Sequence, residues 1–272
     1  MRRSLLEMRA EASDDAVTLA ALGVLAFILA DVSHEILGHA VVALATGVKL
    51  TLLTTCYVTN RGDAGKLIRA AGGLANVCVG IAAFLLIRVG RPRSPHRRYF
   101  LVLSVAFNLF FAAGYPFYSG VALFGDWAAV ISGLSPGWFW RSLLVLISVA
   151  GYWFSMVLVA RLIRPFCGSA ETRGLTRLRR MTLIPYLAAM VAACMGGAVN
   201  PAGWPVILTS ALPAAGAAFG LTQMDHFQAA TSADARVPAI ESIARNWTWI
   251  GTAGAVLAWF VVVLGRGIRI SP

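Results

Sequence analysis

Six stretches of this chain run for about twenty residues each with almost no charged side chain. A hydrocarbon core of ~30 Å is crossed by a helix of ~20 apolar residues. Only 13% of the residues are charged and 58% are hydrophobic, against ~25% charged in a soluble domain. The fold expected is therefore an all-α polytopic membrane helix bundle with six or seven transmembrane helices. It forms a single integral membrane domain over residues 1–272, with C-terminal helices over about 140–265. No secretory signal with an A-x-A exit precedes the first stretch, so that stretch is expected to remain as a helix.

The net charge of +11 would suit a nucleic-acid binder, but its distribution does not. Arginines gather in short loops between apolar stretches, where they set topology. Arg2, Arg3 and Arg9, the group from Arg88 to Arg98, and the group from Arg161 to Arg180 should share one side, the cytoplasmic one. The partners expected are membrane lipid and an apolar substrate, with no nucleic acid, in the plasma (inner) membrane. Cys56, Cys78, Cys167 and Cys194 are scattered and form no CxxC, which argues against a disulfide framework or a thiolate metal site.

The first apolar segment covers about residues 16 to 46. Residues 48 to 67, VKLTLLTTCYVTNRGDAGKL, alternate Thr with Leu, Val and Tyr and then supply turn residues. They read as a short β-hairpin or loop at the membrane surface. Further segments cover about 68 to 87, 99 to 124, 140 to 162 and 247 to 264. Residues 181 to 222 hold two apolar runs broken by NPAGWP, residues 200 to 205. If the break is a turn, there are seven spans and the C-terminus lies opposite the N-terminus. If it is a discontinuous helix, there are six. Irregular backbone at membrane depth must be buried in protein or line a cavity.

The first segment contains SHEILGHAVVALATG, residues 33 to 47. His34, Glu35 and His39 are costly inside a membrane, and such residues usually serve a function. The bland alternative is that they are polar contacts between helices. The zinc-peptidase pattern is H-E-x-x-H, whereas His34 and His39 enclose one residue more, as H-E-x-x-x-H. An α-helix turns ~100° per residue, so residues five apart point ~140° apart and cannot share an ion. Two histidine ligands therefore require a distorted helix. A π-bulge absorbs one residue, and Gly38 would ease it. Asp31, Glu35 and His39 share a face of a regular helix, so Asp31 is a candidate to orient a liganding histidine.

HEILGHA followed by a small-residue helix resembles the active-site helix of the site-2 intramembrane metalloproteases. The lengthened H-E-x-x-x-H form is similar to the HELLGH zinc motif of the dipeptidyl-peptidase III family. GGLAN, residues 72 to 76, resembles the G-P-x-x-N element of the site-2 family's next helix, and FNLF around Asn108 its N-L-x-P stretch. The likeness covers about residues 16 to 130, the expected metal-site core. Gly73 stands where the family has proline, and no L-D-G motif supplies a third ligand. The resemblance implies Zn2+ held by His34 and His39, with Glu35 as the catalytic base.

Catalytic zinc usually has three protein ligands and one open position. Asp126 in FGDW is the candidate that ends on the side of His39, and His226 in QMDHFQ is its rival if residues 181 to 222 cross once. The function expected is a membrane-embedded metal-dependent hydrolase cleaving a membrane-embedded peptide. An enzyme acting on a lipid or other apolar small molecule is the first alternative. A non-enzymatic metal transporter or scaffold is the second.

Overall fold

The computed structural model describes residues 14–167, 172–231 and 241–270. Among them, six helices are long and apolar enough to cross a membrane, and the chain is a membrane protein. The first, α1, spans Ala16–Ala45. Asp15 starts it by accepting the Thr18 N–H at 2.9 Å, which satisfies one of the free donors at a helix N-terminus. Its first half is apolar on all sides and is buried over residues 19–28 apart from the half-buried Ala20, whereas Leu37, Val41 and Leu44 further along are exposed. Leu19, Leu22, Ala26 and Ala30 have no exposed surface. Phe27 meets the edges of Phe107, Phe111 and Phe260 at centroid distances of 6.2, 6.1 and 6.0 Å, a geometry aromatic rings favour.

The strands β1 (Leu50–Leu53) and β2 (Val58–Asn60) follow as an antiparallel hairpin. Its tip is packed into the bundle rather than standing free of it. Thr54 and Thr55 are buried, and Thr55 Oγ1 lies 3.3 Å from where a Cβ on Gly196 would stand. Thr54 makes this turn itself. Its Oγ1 donates to Tyr57 O at 2.9 Å and accepts the Cys56 and Tyr57 N–H groups. A turn that satisfies its own polar groups can enter the bundle.

The remaining spans are α2 (Gly65–Arg88), α3 (Pro95–Ala122), α5 (Gly137–Cys167), α6 (Thr172–Ala198) and α9 (Trp247–Trp259, continued to Gly265). A short helix, α4 (Asp126–Ile131), lies between α3 and α5. Helix α3 packs against α1, α2 and α5, and α6 packs along α1.

NPAGWP is a real turn. Asn200 accepts the Ala202 N–H on Oδ1 at 3.0 Å and the Gly203 N–H on its carbonyl at 2.9 Å, and Gly203 adopts φ +76°. The chain then returns beside α6 as a broken helix. It is π-helical over Ile207–Ala211, α-helical over Leu212–Ala218 (α7), 3₁₀ over Phe219–Gln223 and α-helical over Met224–Thr231 (α8). Ile207 lies against Gly197, and Asp225 accepts two bonds from Arg179 at 2.9 and 2.8 Å. Those two positions of α6 stand ~27 Å apart along its axis, so the stretch crosses the full thickness. Adding it to the six long helices gives seven crossings among the described residues. The last strand, β3 (Ile268–Arg269), therefore ends on the hairpin side and pairs with β1, giving the order β2-β1-β3. On the opposite side, Asp14 takes a forked pair of bonds from Arg177 at 2.6 and 2.8 Å and accepts the Ile243 N–H at 2.9 Å.

Candidate metal centre

Residues Ser33–Ala40 of α1 form a π-helix. Hydrogen bonds there reach from i to i+5, so residues five apart stack as residues four apart do in an α-helix. The ~140° offset between His34 and His39 is thereby removed, and their rings lie with centroids 4.8 Å apart. The small residues foreseen in the sequence make the room. A Cβ on Gly38 would stand 2.5 Å from Gly72 Cα. A Cβ on Gly72 would stand 2.5 and 2.6 Å from the Nε2 atoms of His34 and His39. The two helices meet backbone to backbone, and both imidazoles rest on the bare Cα of Gly72.

Each imidazole is fixed by its other nitrogen. His39 Nδ1 lies 2.7 Å from the carbonyl of Ile68. A carbonyl only accepts, so Nδ1 carries the hydrogen. His34 Nδ1 lies 2.9 Å from Asn76 Oδ1. The Asn76 amide is oriented in turn, because its Nδ2 donates to Ala30 O at 2.8 Å and to Asn108 Oδ1 at 3.0 Å. Asn108 is set by donating to Ser104 O at 2.9 Å. The chain Ser104–Asn108–Asn76–His34 thus commits the Nδ1 hydrogen of His34 as well. Both Nε2 lone pairs are left facing the cavity. Asp31 does not orient either ring, contrary to the sequence expectation. Its Oδ2 is buried with no hydrogen-bond partner among the described residues.

Asp126 completes the group. Its Oδ2 lies 3.3 Å from His34 Nε2 and 3.1 Å from His39 Nε2, and the three ligand atoms all lie within 4.8 Å of one another. Around a tetrahedral zinc with bonds of ~2.0–2.1 Å, adjacent ligand atoms stand ~3.3 Å apart. Two neutral Nε2 atoms and a carboxylate converging with no hydrogen between them would repel, so the arrangement calls for a cation, either a proton or a metal. The donor set of two imidazoles and one carboxylate suits zinc with one position open. Burial raises the Asp126 carboxyl, but the two histidine contacts outweigh it and hold the group well below the usual carboxylate range.

Glu35 is buried and lines the same cavity, and its Oε2 has no partner among the described residues. The cavity measures about 640 Å³. Strand β2, Phe111 and Ala217 form parts of its wall, together with the Cys56 turn. Burial, with Asp31 and Glu35 nearby, pushes the Cys56 thiol up to about 12, so it remains a protonated thiol.

The rival ligand is elsewhere. His226 lies next to Asp225 in α8, with Nε2 3.8 Å from its Oδ1, at the far end of the returning crossing. It could have met His34 only if residues 181 to 222 had crossed once. His96 bonds the carbonyl of Ala244 at 2.7 Å on that same far side. Gly73, where the resembled family has proline, faces the indole of Trp127. A Cβ there would lie 3.0 Å from Trp127 Nε1, so glycine lets the residue after Asp126 seat against α2. Two contacts of the site have no signal in the sequence: the Ile68 carbonyl, which no side chain could announce, and Tyr115, which accepts the Asp126 N–H on its Oη at 3.2 Å but looks like any interfacial aromatic.

No protein-family model, curated protein or solved structure matches the chain.

Proposed function

We propose that the protein is a membrane-embedded, metal-dependent hydrolase, similar in its chemistry to the site-2 proteases. One observation carries this reading: two imidazole Nε2 atoms and the Asp126 carboxylate converge beside a buried Glu35, one of whose oxygens has no partner among the described residues, in a cavity within the helix bundle. His34, His39 and Asp126 would hold the ion, zinc by donor type. Bound there, it supplies a Lewis acid that polarises a carbonyl and lowers the pKa of water. Asn76 and the Ile68 carbonyl keep both rings in one tautomer and orientation. Glu35 accepts a proton from the attacking water as the new C–O bond forms. It then delivers that proton to the leaving nitrogen as the C–N bond breaks.

The substrate class we propose is a membrane-embedded peptide. Strand β2 is the outer strand of its sheet and lines the cavity, and a free strand edge can take an extended chain. Asn60, on that strand, has a buried Nδ2 with no partner among the described residues. A lipid or other apolar small molecule is the second reading, favoured by the apolar wall at Phe111, Phe124 and Val206. The arginine-rich loops lie opposite the site. We assign that side to the cytoplasm, with the N-terminus, in the plasma (inner) membrane.

The test is metal analysis of purified wild type beside a His34→Ala, His39→Ala double variant, with cleavage of a quenched-fluorescent single-span peptide in proteoliposomes. One metal per wild-type chain, none in the variant, and chelator-sensitive cleavage support the reading. Absence of metal from zinc-supplemented wild type would overturn it.

A further inference from the structure

Granted the metal-site reading above, we infer that Tyr115 and Gly125 form a positioning latch that sets the third ligand, Asp126, against the two histidines. Asp126 has no span of its own to hold it. Helix α3 ends at Ala122 and α4 begins at Asp126. The connection between them bends sharply, with Leu123 at φ +56° and Gly125 at φ +86°, ψ −171°. The second conformation is open in practice only to glycine.

As the first residue of α4, Asp126 has an N–H with no intrahelical acceptor, and an N-cap side chain serves the next N–H groups rather than this one. Tyr115 supplies the acceptor from another helix: the Asp126 N–H donates to Tyr115 Oη at 3.2 Å. The tyrosine is held in turn. Its ring centroid lies 5.5 Å from that of His34, and it stacks on Tyr118 at 6.3 Å. A Cβ on residue 125 would stand 2.6 Å from Tyr115 Oη. Glycine is thus required twice, by its backbone angle and by the approach of the hydroxyl. One side chain leans its ring on the first ligand and holds the backbone of the third with its oxygen. Tyr115 acts here through Asp126, as a positioning residue.

The test uses the full chain in detergent and reads Zn2+ affinity by chelator competition and the visible absorption of bound Co2+, which reports the ligand set. Tyr115→Phe keeps the ring against His34 and removes only the oxygen. Loss of an outer contact of this kind typically weakens metal binding ~10- to 100-fold, and that loss is expected, with a changed Co2+ spectrum and an unchanged melting temperature of the metal-free protein. In an Asp126→Ala background, the same substitution should cause no further loss. Unchanged affinity and spectrum in Tyr115→Phe would overturn the latch. So would an additive loss in the Asp126→Ala background, which would assign the effect to packing on His34. Should Tyr115→Phe not fold, Gly125→Ala carries the same expectation, and unchanged affinity there overturns it. If wild type binds neither Zn2+ nor Co2+, the metal-site reading itself fails, and the latch falls with it.

Discussion

Asn76 accepts the Nδ1 hydrogen of His34 at 2.9 Å, and this bond decides which nitrogen of the ring faces the cavity. The decision is not local to the pair. Asn76 can present only its oxygen to His34, because both of its amide hydrogens are committed to Ala30 and Asn108. Three helices therefore fix one tautomer: α1 through the Ala30 carbonyl, α2 through Asn76 and α3 through Asn108. A buried polar chain of this kind is costly unless every member is satisfied, and here the exposed end of the chain is a lone pair aimed at the proposed metal position.

Asn76→Ala should leave His34 in place but free its ring. The expected outcome is a ~10- to 100-fold loss of Zn2+ affinity, read by chelator competition. A loss of stability should accompany it, because Ala30 O and Asn108 Oδ1 lose their donor, at ~1–3 kcal/mol for each buried group left unsatisfied. Equal affinity in variant and wild type would remove the tautomer argument.

Asp126→Asn should strongly reduce bound metal, leaving a weaker two-histidine site, while His226→Ala should leave it unchanged. The two residues lie at opposite ends of the crossing formed by residues 207–231. Metal content by mass spectrometry of both variants, purified side by side, decides between them. The reverse result would mean that residues 181 to 222 cross the membrane once.

Much of this was legible in the sequence, for physical reasons that can be named. Apolar runs of ~20 residues identify spans, and the arginine clusters order the first four of them. The spacing of His34 and His39 demands a helix distortion as soon as both are ligands, because 3.6 residues per turn is a fixed geometry. The path after Arg180 was not legible. Its charges are too few for loop counting, and whether NPAGWP turns or merely interrupts depends on what packs beside it. The role of Asp31 was misread for a related reason. Its face on a regular helix includes His39, but the π-helix rotates that face, and a carbonyl from α2 takes the hydrogen bond instead. The burial of the hairpin tip was also hidden, since the turn made by Thr54 has the same composition whether exposed or packed against the bundle.

Gly72→Ala tests whether the close approach of the helices is required. The new Cβ would stand 2.5 and 2.6 Å from the two Nε2 atoms, well inside contact distance. Either α2 moves away or the imidazoles turn. Overpacking of this size typically costs ~1–3 kcal/mol, and metal binding should fall more sharply than the melting temperature does. A variant that retains full metal content would show that the rings have another way to reach the ion.

Glu35→Gln separates turnover from metal retention. Glu35 follows a candidate ligand directly, is buried, and has one carboxylate oxygen without a partner. An unpaired carboxylate in such a place is unfavourable for folding, so it is not kept there for stability. Glutamine preserves the volume and can fill the same space, but it cannot accept a proton from water. Zn2+ content should therefore match wild type, and the melting temperature should stay equal or rise. Cleavage of the single-span reporter peptide should fall ~100- to 10,000-fold, the usual contribution of a general base. Loss of metal together with activity would instead make Glu35 a ligand. That outcome would also demand a different arrangement of the histidines, because its carboxylate would have to take the place proposed for Asp126. Full activity in Glu35→Gln would leave the cavity without its proton carrier and would sink the hydrolytic mechanism while leaving the metal site standing.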